Sequence, residues 1–523
     1  NTATTVPVIF LGVAAFLLYV VVGRMVDQQR GEIAVLKACG YDNATVGLHY
    51  LQLVVLVTVV GLAIGTGFGA WFGHALAALY QRFFHFPFLD FVLPARVLAI
   101  AAGASLAAAV VGAMAAVRRA VVLPPAEAMR PASPTVFRRS WIEALGLRRW
   151  LDQPTRMVVR NIARHRLKTA IAVLGVALSA AMLVVSGFQR DAIDYMVATQ
   201  FGFAQRESLS VGFTEPTGAR VLSSLRALPG VRYVEPYRAV AVDLQSGPRS
   251  KRSAIQGLPA RAVLHRVLDE AVNPLSLPPA GLVLSRTLAD QLGVQAGDTV
   301  TAAVREGRRR VLHLPISAIT REFVGSSAYM ALPALNRALG EGGTVSGAFI
   351  SADRHEVRRL FRRLQDAPRV ASVGLQSAAR KSFEESLGRT VIVFAIVNIL
   401  LAGSIAFGVV YNTARLALSE RGRELASLRV LGFSSGEVGY ILLAELALIS
   451  LAALVPGMLI GRWFCAVIAE AFTSDLYRIP LVLTPATYGR AATVVVVATV
   501  VSGWLAWRRL RRLDLVEVLK TRE

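Results

Sequence analysis

Two triads stand out by residue type and spacing: Glu32, Lys37 and Gly40, and Glu424, Arg429 and Gly432. In each, an acid precedes a base by five positions and a glycine follows three later. Around the first, Ile33, Leu36 and the Ala and Cys positions form an apolar side, while Glu32 and Lys37 project elsewhere. The closing glycine is suited to the left-handed conformation that ends a helix. Such a segment offers charge for pairing and an apolar side for contact, which suits docking a soluble partner. A lipid-anchored re-entry helix has the same pattern, and the duplication with matching charge order favours docking.

Other chemistries lack their residues. The seven histidines (His49, His74, His85, His165, His265, His313 and His355) show no metal-ligand spacing, so no metal site is expected. No Gly-x-Ser-x-Gly elbow and no clustered carboxylate pair points to hydrolysis. Cys39 and Cys465 are too few for a disulfide framework.

The triads sit in a repeat. Residues 32–72 align with 424–464 at a constant offset of 392, giving 13 identities in 41 positions. Each copy runs from the charged segment through the glycine into a membrane-length apolar run. Beyond it, Arg118-Arg119 and residues 124–130 align with Arg508-Arg509 and 514–520 at an offset of 390. Each half therefore ends on a basic anchor and a small interfacial helix with an N-terminal cap signal.

The chain has 523 residues, is 54% hydrophobic and carries a net charge of +23. Apolar spans are read at roughly 6–23, 46–72, 95–117, 169–188, 389–411, 438–463 and 487–507. The fold class is a mainly α polytopic membrane protein of about seven transmembrane helices, with one α+β extracytoplasmic domain and a pseudo-twofold internal repeat. Segment 118–168 holds twelve Lys and Arg against three acids, and the tail after Trp507 is also basic. Both are placed in the cytoplasm, as are 24–45 and 412–437, and the C-terminus with them. The basic excess thus marks loops facing anionic lipid, and no motif supports nucleic-acid binding. The start at Asn1, in a polar lead to an apolar span, is expected to lie partway through a longer protein.

Within the spans, Gly61, Gly65, Gly69 and Gly73 recur every fourth position, and the second copy keeps Gly457 and Gly461. They mark close helix packing, either at the pseudo-twofold interface or within one half. Strongly polar residues in spans are few: Gln52, Arg96, Asn398, Glu445, Arg462 and Arg490. Glu445 has no basic partner at its depth in the sequence. A basic, partly amphipathic lead-in, Arg160-Asn161-Ile162-Ala163-Arg164-His165-Arg166-Leu167-Lys168-Thr169, fits a helix in the inner headgroup layer. Residues 190–388 alternate short β-like runs with helical patterns, giving α+β character. The Arg308-Arg309-Arg310 run there reads as a solvated hairpin tip, or a contact for anionic lipid or an acidic partner.

The order of span, outer α/β domain, span, Glu-x-x-x-Leu-Lys/Arg-x-x-Gly-Tyr/Phe loop, span and span resembles the FtsX/MacB-type permeases of ABC transporters. The 160–169 lead-in resembles that family's entry segment, with Ile162 in place of its Leu. Residues 281–300 resemble the MacB-type periplasmic core domain. The resemblance implies a first permease domain at 1–130 with three helices, a basic linker at 131–168 and a span at 169–188. A MacB-like domain at 189–388 and a second permease domain at 389–523 follow. It also implies a multi-pass bacterial inner-membrane protein that couples ATP hydrolysis elsewhere to movement of its outer domain. Its substrate would be lipid-like, a lipoprotein, a peptide or a drug. Glu32, Lys37, Gly40, Glu424, Arg429 and Gly432 would contact the ATPase.

Because the chain lacks a Gly-x-x-x-x-Gly-Lys-Ser/Thr loop, ATP and Mg are expected on a separate ABC ATPase subunit, in two copies for two loops. The chain itself is expected to be no enzyme and to hold no cofactor; membrane lipids and a periplasmic partner complete the set. The alternative is a regulator that relays ATPase state to an extracytoplasmic enzyme such as a cell-wall hydrolase. A secondary transporter is disfavoured by the sparse intramembrane charge.

Overall fold

The computed structural model describes residues 2–83, 91–121, 152–164, 166–269, 272–320, 322, 326–385, 389–471 and 479–511. The chain divides into two compact units. One holds 1–187, 394–468 and 483–523, and the other 188–393 and 469–482. The small interfacial helices expected at 124–130 and 514–520, and most of the 131–168 linker, lie outside the described residues.

The first unit is helical because its apolar runs contain little that breaks a helix. Its helices are α1 (Thr2–Gln28), α2 (Arg30–Ala38), α3 (Asn43–Phe83), α4 (Ala95–Val121), α5 (Gln153–Arg164) and α6 (Arg166–Val197). After the second unit come α12 (Arg389–Val430), α13 (Ser435–Ala471) and α14 (Pro485–Arg511). Among the described residues, six helices are long and apolar enough to cross a membrane, and α1 adds a shorter apolar stretch, Pro7–Gly23. These match the seven expected spans. Val22, Val26, Ile33, Val46, Tyr50, Val54, Ala109, Ala113 and Val117 form one core that binds α1 to α4.

The lead-in covers the end of α5 and the start of α6; α5 is amphipathic and runs beside the start of α13. Thr155 Oγ1 and Tyr440 Oη lie 3.1 Å apart, and Asn161 Nδ2 donates to Glu445 Oε1 at 2.7 Å. Asn161, within the basic lead-in, thus reaches the mid-helix carboxylate of Glu445.

In the second unit the strands are β1 (Leu209–Gly218), β2 (Val231–Ser246), β3 (Arg249–Leu258), β4 (Leu282–Ser285), β5 (Thr299–Val304), β6 (Val311–Thr320), β7 (Ala328–Ala331), β8 (Thr344–Ala352) and β9 (Val370–Leu375). The helices are α7 (Val221–Arg226), α8 (Arg286–Leu292), α9 (Leu332–Leu339), α10 (Val357–Gln365) and α11 (Gln376–Phe383). The sheet order is β3-β7-β4-β6-β5-β2-β8-β1-β9, and a further pairing of β3 with β2 closes six strands into a ring. β2 serves both parts: its first half pairs with β8, its second with β3 and β5. One core lies within the ring around Leu244, Ile255, Leu284 and Leu335. A second lies where α7 and α10 cover the β9-β1-β8-β2 sheet around Leu209, Val234, Ile350 and Leu360. This is the expected α+β domain.

Candidate functional site

The first triad forms a helix corner. α2 is offset from α1 by one residue, Gln29, whose backbone leaves the helix at φ −88° and ψ 13°. Hydrogen bonds from Gln29 N to Met25 O (3.1 Å) and Ile33 N to Gln29 O (2.9 Å) bridge the joint. Tyr50 Oη donates to Gln29 Oε1 at 2.9 Å and holds it from α3. At the far end Gly40 turns left-handed at φ +97°. Tyr41 N reaches Leu36 O (3.2 Å) and Gly40 N reaches Lys37 O (3.1 Å), the paired bonds of a Schellman stop. Two residues later Asp42 caps α3 and accepts from Thr45 N at 3.0 Å and from Thr45 Oγ1. Those two bonds, the hydroxyl first, hold its carboxyl below the ordinary range.

The second corner repeats the plan with different parts. Gly432 takes φ +98°. Two residues later Ser434, equivalent to Asp42, opens α13 with a reciprocal capping box. Glu437 N donates to Ser434 Oγ at 3.2 Å, and Ser434 N donates to Glu437 Oε2 at 2.8 Å. The segment before the glycine is not a separate helix here. It is the unbroken end of α12, and 42 helical residues span about 63 Å. The backbones of Glu424 and Arg429 lie in that helix, and their side chains lie outside the described residues.

Ile33 and Ala34 are buried, whereas Val35, Leu36, Tyr41 and Leu48 stand exposed. At the second corner Val430, Leu431 and Tyr440 are exposed, and Tyr440 occupies the position equivalent to Leu48. Glu32 is exposed and Lys37 half-buried. Glu32 and Lys37 lie on α2 and Gly40 just past its end, in a corner whose Val35, Leu36 and Tyr41 are exposed. The caps Asp42, Ser434 and Glu437 went unread in the sequence, although Ser-x-x-Glu before an apolar run is a cap signature.

The packing glycines divide by repeat. A Cβ at Gly457 would lie 2.8 Å from both Ala177 O and Ala180 Cβ, and one at Gly461 2.8 Å from Val184 Cβ. Both thus seat α13 against α6, within the second half. Among the described residues, a Cβ at Gly61, Gly65 or Gly69 would meet nothing within 4 Å, while one at Gly73 would meet Phe91.

In the second unit three polar groups are structural. Buried Glu235 accepts from the backbone of Val263 (2.6 Å), Leu264 (3.0 Å) and His265 (3.0 Å) and pins that loop. Arg238 donates to both oxygens of Glu341 at 3.0 and 2.9 Å and lies 2.8 Å from Glu306. Arg310 packs on Gly340 beside this pair, so the basic run is partly tied down. Glu322 has a buried carboxyl oxygen, and burial pushes its pKa up to about 7. Among the described residues no cluster of His, Cys, Asp or Glu could hold a metal ion.

Residues 4–125 and 396–515 both match the FtsX-like permease C-terminal family. Two solved structures align with part of the chain. The extracellular domain of the noncanonic ABC-type transporter YknZ from Gram-positive bacteria covers 31% of this chain and 92% of its own length, at 14% identity and a TM-score of 0.23. The periplasmic region of MacB from Actinobacillus actinomycetemcomitans covers 35% and 94%, at 10% identity and a TM-score of 0.24.

Proposed function

From two FtsX-like permease domains carried in one chain, we propose that this multi-pass membrane protein is the permease subunit of an ATP-driven complex. It is docked by a separate ATPase at its two helix corners. The observation that carries this is the repeated corner itself: a left-handed glycine, an apolar knuckle in the open, and a capped span leaving it. Exposed apolar groups at a turn between two membrane helices suit a protein partner more than water. Glu32, Lys37, Glu424 and Arg429 supply the charged rim. Two corners call for two ATPase copies, which bring the ATP and Mg that this chain has no loop to bind.

The positive-inside pattern puts both corners in the cytoplasm and the second unit outside. Closure of the paired ATPases then presses on the corners. The unbroken α12 carries that push without a joint to residue 393, where the 188–393 stretch of the second unit ends. In the first half, Tyr50 stiffens the Gln29 joint. The outer domain moves and acts on its substrate, of lipid, lipoprotein, peptide or drug type, without a path through the bilayer.

The test is to purify the protein with its co-purifying ATPase and compare Glu32→Ala, Glu424→Ala and the double variant. Stimulated hydrolysis is expected to fall about tenfold in the double variant, the effect of losing roughly 1.4 kcal/mol of docking energy. Unchanged stimulation, or the absence of any associated ATPase, overturns the reading.

A further inference from the structure

We propose that a pocket in the second unit, between the β5–β6 hairpin tip and the C-terminal end of α9, binds a phosphate group. The group would be carried by a small phosphate ester or by a lipid headgroup. The cavity holds about 270 Å³ and is lined by Arg238, Glu306, Arg308, Arg309, Arg310 and Glu341, among others. Four cations against two carboxylates leave two positive charges over, in a concave site that concentrates their field.

The charges of the hairpin are assigned except for two. Arg305 pairs with Asp243. Glu306 and Glu341 both turn to Arg238, whose Nη1 also donates to Ala239 O (3.0 Å) and Ser346 Oγ (2.9 Å). All five N–H groups of that guanidinium are thereby used, so Arg238 forms a floor and has no donor left for a ligand. Arg310 reaches the end of α9, with Nη1 3.5 Å from Ala338 O. Its Nη2 lies 2.9 Å from where a Cβ at Gly340 would stand, so glycine leaves it that room. Among the described residues Arg308 and Arg309 have no acidic partner and no side-chain hydrogen bond.

Arg309 also holds φ +46°, a left-handed backbone that disfavours any residue with a Cβ. Glycine, used two residues earlier at Gly307 (φ +54°), would take it without strain. Arginine there forgoes that ease and puts a third guanidinium on the pocket wall beside Arg308 and Arg310. A guanidinium fork matches two phosphate oxygens, and a tetrahedral dianion can meet several forks at once. A carboxylate fills one fork, as Glu341 does on Arg238. The volume admits a headgroup but no acyl chain, so the tails of a lipid would stay outside.

The test titrates the full chain in dodecyl maltoside by calorimetry at pH 8, where phosphate carries close to two charges. Inorganic phosphate and glycerol 3-phosphate are expected to bind, and acetate is not. The Kd should rise about tenfold in Arg308→Gln and in Arg309→Gly. Arg309→Gly carries a second signature: its melting temperature should rise by about 2 °C while binding is lost. Dihexanoyl phosphatidic acid separates the sources, since binding at least as tight as glycerol 3-phosphate means a lipid headgroup and weaker binding a free ester. Absence of phosphate binding, equal binding of acetate, or a Kd unmoved in both variants would overturn the proposal and leave a solvated hairpin tip. Neither ATP nor an ATPase enters the assay, so failure here is separate from failure of the docking reading.

Discussion

Gly40 and Gly432, 392 residues apart in sequence, hold the same left-handed backbone, at φ +97° and +98°. Among the described residues, and leaving out the chain neighbours, neither has an atom within 4 Å of where a Cβ would stand, so tertiary sterics do not explain the glycine. The backbone conformation does.

Alanine at either position is therefore expected to cost about 1 kcal/mol, with the loss confined to its own corner. Amides of the last helical turn and the first residue after it should exchange about fivefold faster, a ratio read by hydrogen-exchange mass spectrometry. Unchanged exchange at Tyr41 in Gly40→Ala would contradict the role of the Schellman stop.

Gly65 and Gly457 occupy equivalent positions but should respond in opposite ways. Gly457→Ala pushes a methyl against Ala177 and Ala180, overpacking that costs about 1–3 kcal/mol and lowers the melting temperature in detergent. Gly65→Ala meets nothing and should be neutral or stabilising by up to about 1 kcal/mol. Equal destabilisation by both would refute the seating of α13 on α6.

Arg238 is only 2% exposed and answers two carboxylates. Arg238→Met leaves Glu306 and Glu341 facing each other and should cost about 3 kcal/mol in denaturant unfolding of the outer unit. Adding Glu341→Gln should recover part of the loss, since it removes one of the stranded charges. A double variant no better than the single would show that packing of the guanidinium, not charge, carries the effect.

Glu322 gives a pH dependence with a definite sign. Its folded pKa of about 7 lies above the ordinary 4.5, chiefly through burial, with the Tyr329 hydroxyl and His265 opposing the rise. Between those values the native state keeps a proton that the unfolded chain has lost, so stability falls as pH rises from 4.5 to about 7 and is level above that. Protection of the β7 amides, corrected for intrinsic rates, should be greater at pH 5 than at pH 8. Glu322→Gln should flatten that difference.

Much of the architecture was legible because it rests on length and period. The seven apolar runs became helices, and the alternating β-like and helical patterns of 190–388 became strands and short helices. Pro236 interrupts the β2 pattern in the sequence, yet it sits in register opposite Ala348. β3 went unread because its first half, Arg249 to Ser253, is polar and exposed, and only its end reaches the core. β4 and β7 are four residues each and buried at every position, so they show no alternation to recognise. The corner glycines declared themselves, but the continuity of α12 through Glu424 did not. Nor could sequence say that Gly457 meets Ala177, since a glycine stripe marks close approach without naming what approaches.

The two corners share a glycine but not a cap: Asp42 relies on Thr45, and Ser434 on Glu437. A permease assembled from two identical chains carries every substitution twice, so its halves are always damaged together. In this chain Asp42→Ala and Ser434→Ala are separate alleles, each expected to weaken one corner by about 1 kcal/mol and to spare its twin. The protein thereby offers a direct way to ask whether its two corners contribute equally, in alternation or redundantly.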